Sequence, residues 1–147
     1  MRLITDGDIL FARVFDKTMV PFVLTSLTLM SCGLRFEDRV VAMATWVAGA
    51  ASCLYWCRPL SSGLDSWRLK LDYTAASVLA MVLVWRVAPK ASPQTWQIAL
   101  CTAAAFAASN VMGFRQSTPQ QRAVHGLAHV SLILLLRSGA RDASGGR

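Results

Sequence analysis

The chain has 147 residues, of which 54% are hydrophobic and 16% charged, and a formal net charge of +7. A mean hydropathy of +0.44 is too high for an ordinary soluble domain of this length, so the expectation is a small single-domain integral membrane protein. The positive charge does not point to nucleic acid, because the Lys and Arg residues do not cluster; they punctuate apolar runs, as loop charges of membrane proteins do.

Residues 1–17, "MRLITDGDILFARVFDK", read as a juxtamembrane segment. They are not a signal peptide: Asp6, Asp8 and Asp16 precede the first long apolar run, and no compact cationic stretch opens the chain. Within them "GDILFARVF" is mildly amphipathic and suits a position at the membrane surface.

Residues 18–137 read as an all-α, multi-spanning transmembrane bundle of about five spans, each judged against the ~20 apolar residues that cross the hydrocarbon. The first is Thr18–Leu34, closed by "CGLRFEDR", and the second Val40–Cys57, closed by "RPLSSG". The third is Leu71–Val87, closed by "APKASP", and the fourth Thr95–Phe114, closed by "RQSTPQQR". Pro, Gly, Ser and charged clusters mark every break. The fifth, Ala123–Leu136, lies between Arg122 and Arg137. Its run of about 14 residues makes roughly 21 Å of helix, short of a ~30 Å core. Either the flanking arginines snorkel outward and extend it, or it is a buried or re-entrant helix. Residues 138–147, "SGARDASGGR", read as a flexible polar tail.

The aromatic residues fall where interfacial belts would place them, with Tyr55, Trp56, Trp67 and Tyr73 on one side and Trp85 and Trp96 on the other. Runs such as "ATWVAGAAS" and "TAAAFAAS" supply the small residues that let helices approach closely in lipid. Basic residues divide eight against seven between the two sides, so charge barely sets the orientation; the heavier flank of the first span favours a cytosolic N-terminus. The four cysteines, Cys32, Cys53, Cys57 and Cys101, sit in or at the ends of apolar runs and do not form a secreted disulfide framework. Cys53 and Cys57 share a helix face, and buried small hydrophobes are the favoured reading over ligands.

Alternating helix direction collects the polar residues of the spans in one leaflet. Ser52 is near the end of the second span, Asp72 at the start of the third, Ser109 and Asn110 near the end of the fourth, and His125 and His129 at the start of the fifth. Histidines four apart share a helix face, with imidazoles about 6 Å apart, and can hold one ion between them. Zinc is the natural metal for two imidazoles completed by oxygen or water. A nearby acid would act as a ligand, orient one, or take a proton from metal-bound water. Plainer roles compete: His125 at the headgroups, Asp72 paired with Arg68 or Lys70, Ser52 packing between helices, and Asn110 as an interhelical bond or helix cap. The chain has no G-x-S-x-G, C-x-x-C, H-E-x-x-H or phosphate-loop motif, and two histidines are too few for a three-histidine site in one chain.

The order "SCLYW", then "RLKLDYTAAS", then "HGLAH" resembles the CREST superfamily of membrane hydrolases, which includes alkaline ceramidases, the adiponectin- and progestin-receptor family and bacterial haemolysin III proteins. The resemblance implies a bundle holding zinc through three histidines and hydrolysing lipid amides. Ser52 would be the supporting serine, Asp72 the water-binding acid, and His125 and His129 two of the ligands. Two departures stand out: Trp56 occupies the third ligand position, and about five spans replace seven. Two classes of function follow. One is a zinc-dependent hydrolase of membrane lipid amides. The other is a non-catalytic bundle, a degenerate relative or an unrelated protein, acting through a second copy or a membrane-protein partner.

Overall fold

The computed structural model describes residues 20–56, 67–111 and 119–145. The juxtamembrane segment and Cys57 lie outside them. Among the described residues there are five α-helices and no strand: α1 Val20–Gly33, α2 Arg39–Trp56, α3 Trp67–Arg86, α4 Pro93–Val111 and α5 Pro119–Ser144, with a 3-10 turn at Ala88–Lys90 between α3 and α4. The five apolar runs therefore each contain a helix.

Local chemistry sets several of the boundaries. Asp38 caps α2, its Oδ1 accepting the amide hydrogens of Val40 at 2.8 Å and Val41 at 3.3 Å. Its Oδ2 lies 3.7 Å from Arg86 Nε, which ties the end of α3 to the start of α2. Proline opens both α4 and α5, where its missing amide hydrogen costs nothing.

α1 packs against α2 and α5, α2 against α3, and α4 against α5. The apolar core lies where α1 ends and α2 begins, built from Leu29, Cys32, Phe36, Val41, Leu79 and Leu136 among others. α1 and α2 approach so closely at Gly49 that an added Cβ would stand 2.9 Å from the Ser26 carbonyl oxygen. The histidines sit at the opposite end of α1 and α5 from this core.

Polar residues share the interior with the apolar core, and large apolar side chains are exposed. Ser26, Thr45, Ser52, Thr95, Thr102, Ser109, His129 and Ser138 are buried, while Met43, Trp46, Met81, Val84, Trp85, Leu100 and Leu127 are exposed. Three of the seven interior hydroxyls bond a carbonyl of their own helix. Ser26 donates to the Phe22 carbonyl, Thr45 to that of Val41 and Thr102 to that of Ile98, each at 2.8 Å.

Of the segment expected to be a polar tail, residues 138–144 are helical, the last turns of α5. Asp142 accounts for this: its Oδ2 accepts the Ser92 amide hydrogen at 2.8 Å and the Thr95 hydroxyl at 2.6 Å, while Ser138 Oγ lies 2.6 Å from Thr95 Oγ1. The end of α5 is thereby latched to the start of α4. The fifth helix is also the longest, with 26 residues, about 39 Å. Among the described residues its stretch Ala123–Ser144 is the one helix long and apolar enough to cross a membrane. The described part of α1 has 14 residues, α2 and α4 are diluted with Ala, Thr and Ser, and α3 carries Arg68, Lys70, Asp72 and Arg86.

Candidate functional site

His125 and His129 stand one turn apart on α5 and turn their rings toward each other, Nε2 to Nε2 at 3.1 Å. Each ring has a hydroxyl at its other nitrogen. Thr25 Oγ1 on α1 lies 3.1 Å from His129 Nδ1, and Ser109 Oγ on α4 lies 3.1 Å from His125 Nδ1. The result is a polar row from α4 through α5 to α1: Ser109, His125, His129, Thr25.

Aromatic rings wall this row. Phe22 stacks on Trp56 with centroids 4.1 Å apart, and its ring lies 6.0 Å from that of His125 and 6.3 Å from that of His129. Trp56 is 5.3 Å from the His125 ring. Phe106 stands edge-on to His125 at 6.0 Å and tilted toward His129 at 6.4 Å. Four helices thus contribute: α1 with Phe22 and Thr25, α2 with Trp56, α4 with Phe106 and Ser109, and α5 with both histidines.

The structure brings some of the anticipated residues together and separates others. The two histidines and Ser109 meet. Ser52 is buried, 4% exposed, one turn before Trp56 on α2. Among the described residues neither the Ser52 hydroxyl nor the Trp56 indole N–H has a hydrogen-bond partner. Ser52 therefore lies on the face that Trp56 presents to the site but does not bond to a histidine. Asp72 is half-buried at the start of α3, and among the described residues no hydrogen bond or ion pair joins it to His125, His129 or Ser52. The Asn110 side chain is outside the described residues. Phe22, Thr25 and Phe106 were not anticipated. Helix direction alone could have drawn attention to Phe22 and Thr25, since the start of α1 lies at the same end of the bundle as the histidines.

The donors suit a metal in part. Two ligands at roughly 2.0–2.1 Å in a tetrahedron stand about 3.3 Å apart, close to the separation of the two facing Nε2 atoms. Hydroxyls at both Nδ1 atoms are the outer partners that orient ligating imidazoles. Among the described residues no group of three or more His, Cys, Asp or Glu is placed to hold an ion. The third position that the family resemblance would fill with histidine is Trp56, whose indole offers a hydrogen and no lone pair.

Comparison with protein-family models, with curated proteins and with solved structures finds no match to this chain.

Proposed function

We propose that this chain is a multi-pass integral membrane bundle that holds one divalent metal ion, zinc by the nature of its donors, between His125 and His129. We propose further that it acts without hydrolysing lipid amides. The observation that carries the reading is the pair of facing Nε2 atoms at 3.1 Å, each ring braced at Nδ1 by a hydroxyl from another helix. A chance H-x-x-x-H pair on a helix has no reason to recruit both braces.

The membrane part rests on the apolar surface that the helices expose. Serines, threonines and a histidine lie inside, while large apolar side chains are exposed on every helix, which is stable in lipid and costly in water. α3 adds an independent mark. Trp67 carries Arg68 over its ring at 5.5 Å at one end, and Trp85 carries Arg86 at 4.2 Å at the other. Eighteen residues separate the two tryptophans, about 27 Å of helix, close to the hydrocarbon thickness that interfacial aromatic–cation pairs bracket. Membrane lipids are then the immediate surroundings.

The lipid-amide hydrolase that the resemblance implies needs more than the pair provides. A bound ion would supply a Lewis-acid centre. The chain would have to add an acid at that centre and a third ligand, yet Asp72 bonds to neither histidine and Trp56 is committed to its stack on Phe22. Holding the ion without hydrolysis is therefore the reading adopted.

The test is zinc per protomer, measured on protein extracted with detergent from membranes first washed in alkaline carbonate. The expected result is retention through the wash and near-stoichiometric zinc, lost in both His125→Ala and His129→Ala. Release by carbonate would overturn the membrane reading. Zinc absent from folded wild type, or unchanged in both variants, would overturn the metal site.

A further inference from the structure

The end of the bundle away from the histidines is held together by polar contacts. Arg86 Nε at the end of α3 lies 3.7 Å from Asp38 at the start of α2, and Asp142 near the end of α5 accepts the Ser92 amide hydrogen just ahead of α4. The turn between α1 and α2 belongs to the same end, because Phe36 within it is buried in one core with Val41 and Val87. Among the described residues this end carries six cations, Arg35, Arg39, Arg86, Lys90, Arg137 and Arg141, against three acids, Glu37, Asp38 and Asp142, a net charge of +3. Two of the acids are engaged inside the fold. Asp38 caps α2 and faces Arg86. Asp142 holds Ser92 and Thr95 and has Arg141 close enough to act on its charge. Arg35, Arg39, Lys90 and Arg137 are exposed, and no ion pair engages them among the described residues. Trp85 and Trp96 stand exposed at the same end, and the Arg86 guanidinium lies 4.2 Å over the Trp85 ring. Exposed indoles of a membrane bundle settle among the lipid headgroups. The four unpaired cations therefore stand near headgroup height.

We propose that this end of the bundle is a docking surface for anionic phospholipid headgroups, whose phosphates are the counter-ions of Arg35, Arg39, Lys90 and Arg137. The chemistry of the cations suits phosphate. A guanidinium offers a fork of N–H donors that meets two phosphate oxygens at once, and an ammonium offers a point charge. The four come from the turn between α1 and α2, the first residue of α2, the 3-10 turn and the late part of α5. Spread in this way, they suit several small anions lying in the plane of a leaflet better than one large acidic partner. A zwitterionic headgroup carries its own ammonium beside the phosphate, so it gains little from this charge and competes poorly. Each cation near an anionic membrane surface changes affinity roughly fivefold, and the effect fades beyond a Debye length.

The inference rests on the membrane reading above and not on the metal. The experiment equilibrates detergent-purified protein with equal amounts of phosphatidylglycerol and phosphatidylcholine, separates it from free lipid by gel filtration, and counts the retained lipids by mass spectrometry. Wild type is expected to retain phosphatidylglycerol in preference. Raising the salt from about 0.1 M to 1 M shortens the Debye length from ~10 Å to ~3 Å and should remove most of that preference, a readout that needs no variant. Arg35→Gln, Arg39→Gln, Lys90→Gln and Arg137→Gln should each weaken it, by roughly fivefold or less. The double variant Arg68→Gln with Lys70→Gln removes two cations at the opposite end and should leave it unchanged. Equal retention of the two lipids by wild type, or an equal loss in the Arg68 and Lys70 control, would overturn the proposal. So would displacement of the lipid by a modest excess of inorganic phosphate, which would make free phosphate the occupant. Protein that stays in carbonate-washed membranes yet shows no preference sinks this inference alone, whereas release by carbonate removes the membrane reading on which it stands.

Discussion

Trp56→His is expected to tighten zinc binding roughly a hundredfold. Four-ligand zinc sites release ~10–16 kcal/mol, about 3 kcal/mol per ligand, and 1.4 kcal/mol is tenfold in affinity. Residue 56 is where the third ligand would come from, because its ring already lies 5.3 Å from that of His125. The substitution also has a cost. It breaks the stack with Phe22 at 4.1 Å, and stacked aromatic pairs contribute about 0.5–1.5 kcal/mol beyond the area they bury. The variant should therefore melt at a lower temperature than wild type without zinc and recover when zinc is added. Competition against a chelating dye in detergent measures the affinity. An unchanged affinity in folded protein would mean that the α2 face carrying Ser52 and residue 56 does not converge on the histidine pair.

The second large effect concerns the fold. Gly49→Ala is expected to destabilise the bundle by about 1–3 kcal/mol, the usual range for overpacking. The new Cβ would stand 2.5 Å from Met30 Cγ, 2.9 Å from the Ser26 carbonyl oxygen and 3.0 Å from the Met30 amide nitrogen. A flexible methionine can yield, but two backbone atoms of α1 cannot unless the helices separate. Gly126→Ala is the matched control: its Cβ would meet only Phe22 Cε1 at 3.8 Å, an ordinary contact. It should be neutral or, through helix propensity, slightly stabilising. Thermal melting of the two variants beside wild type decides the matter. Equal midpoints would show that α1 and α2 are not in close contact at Gly49.

Much of this arrangement was legible before the structure, for specific reasons. Proline, glycine and charge punctuation located all five helices, since those residues act on the backbone locally. Alternating direction placed Ser109 and both histidines at one height in the bundle, and there they meet. The same argument misled for Asp72. Direction fixes the height of a residue but not which helices are neighbours. α3 packs chiefly on α2, whereas α5 packs on α1 and α4, so an acid at the start of α3 shares the end of the bundle with the histidines without joining them. Thr25 was missed because a threonine in an apolar run usually bonds its own helix; it does so here too, and the same oxygen serves His129. Residues 138–144 have the composition of a solvated tail yet continue α5, and the contact of Asp142 with Ser92 and Thr95, which the segment itself does not announce, holds them to the start of α4.

The central claim is that two imidazoles, and no sulfur, hold the ion. Zinc K-edge X-ray absorption on the detergent-purified protein tests it most directly. The account predicts a nitrogen and oxygen shell with the multiple-scattering pattern of two imidazoles, reduced to one in His129→Ala if any zinc remains. A sulfur shell, placing the metal on Cys53 or another cysteine, or an imidazole count that His129→Ala does not change, would contradict it.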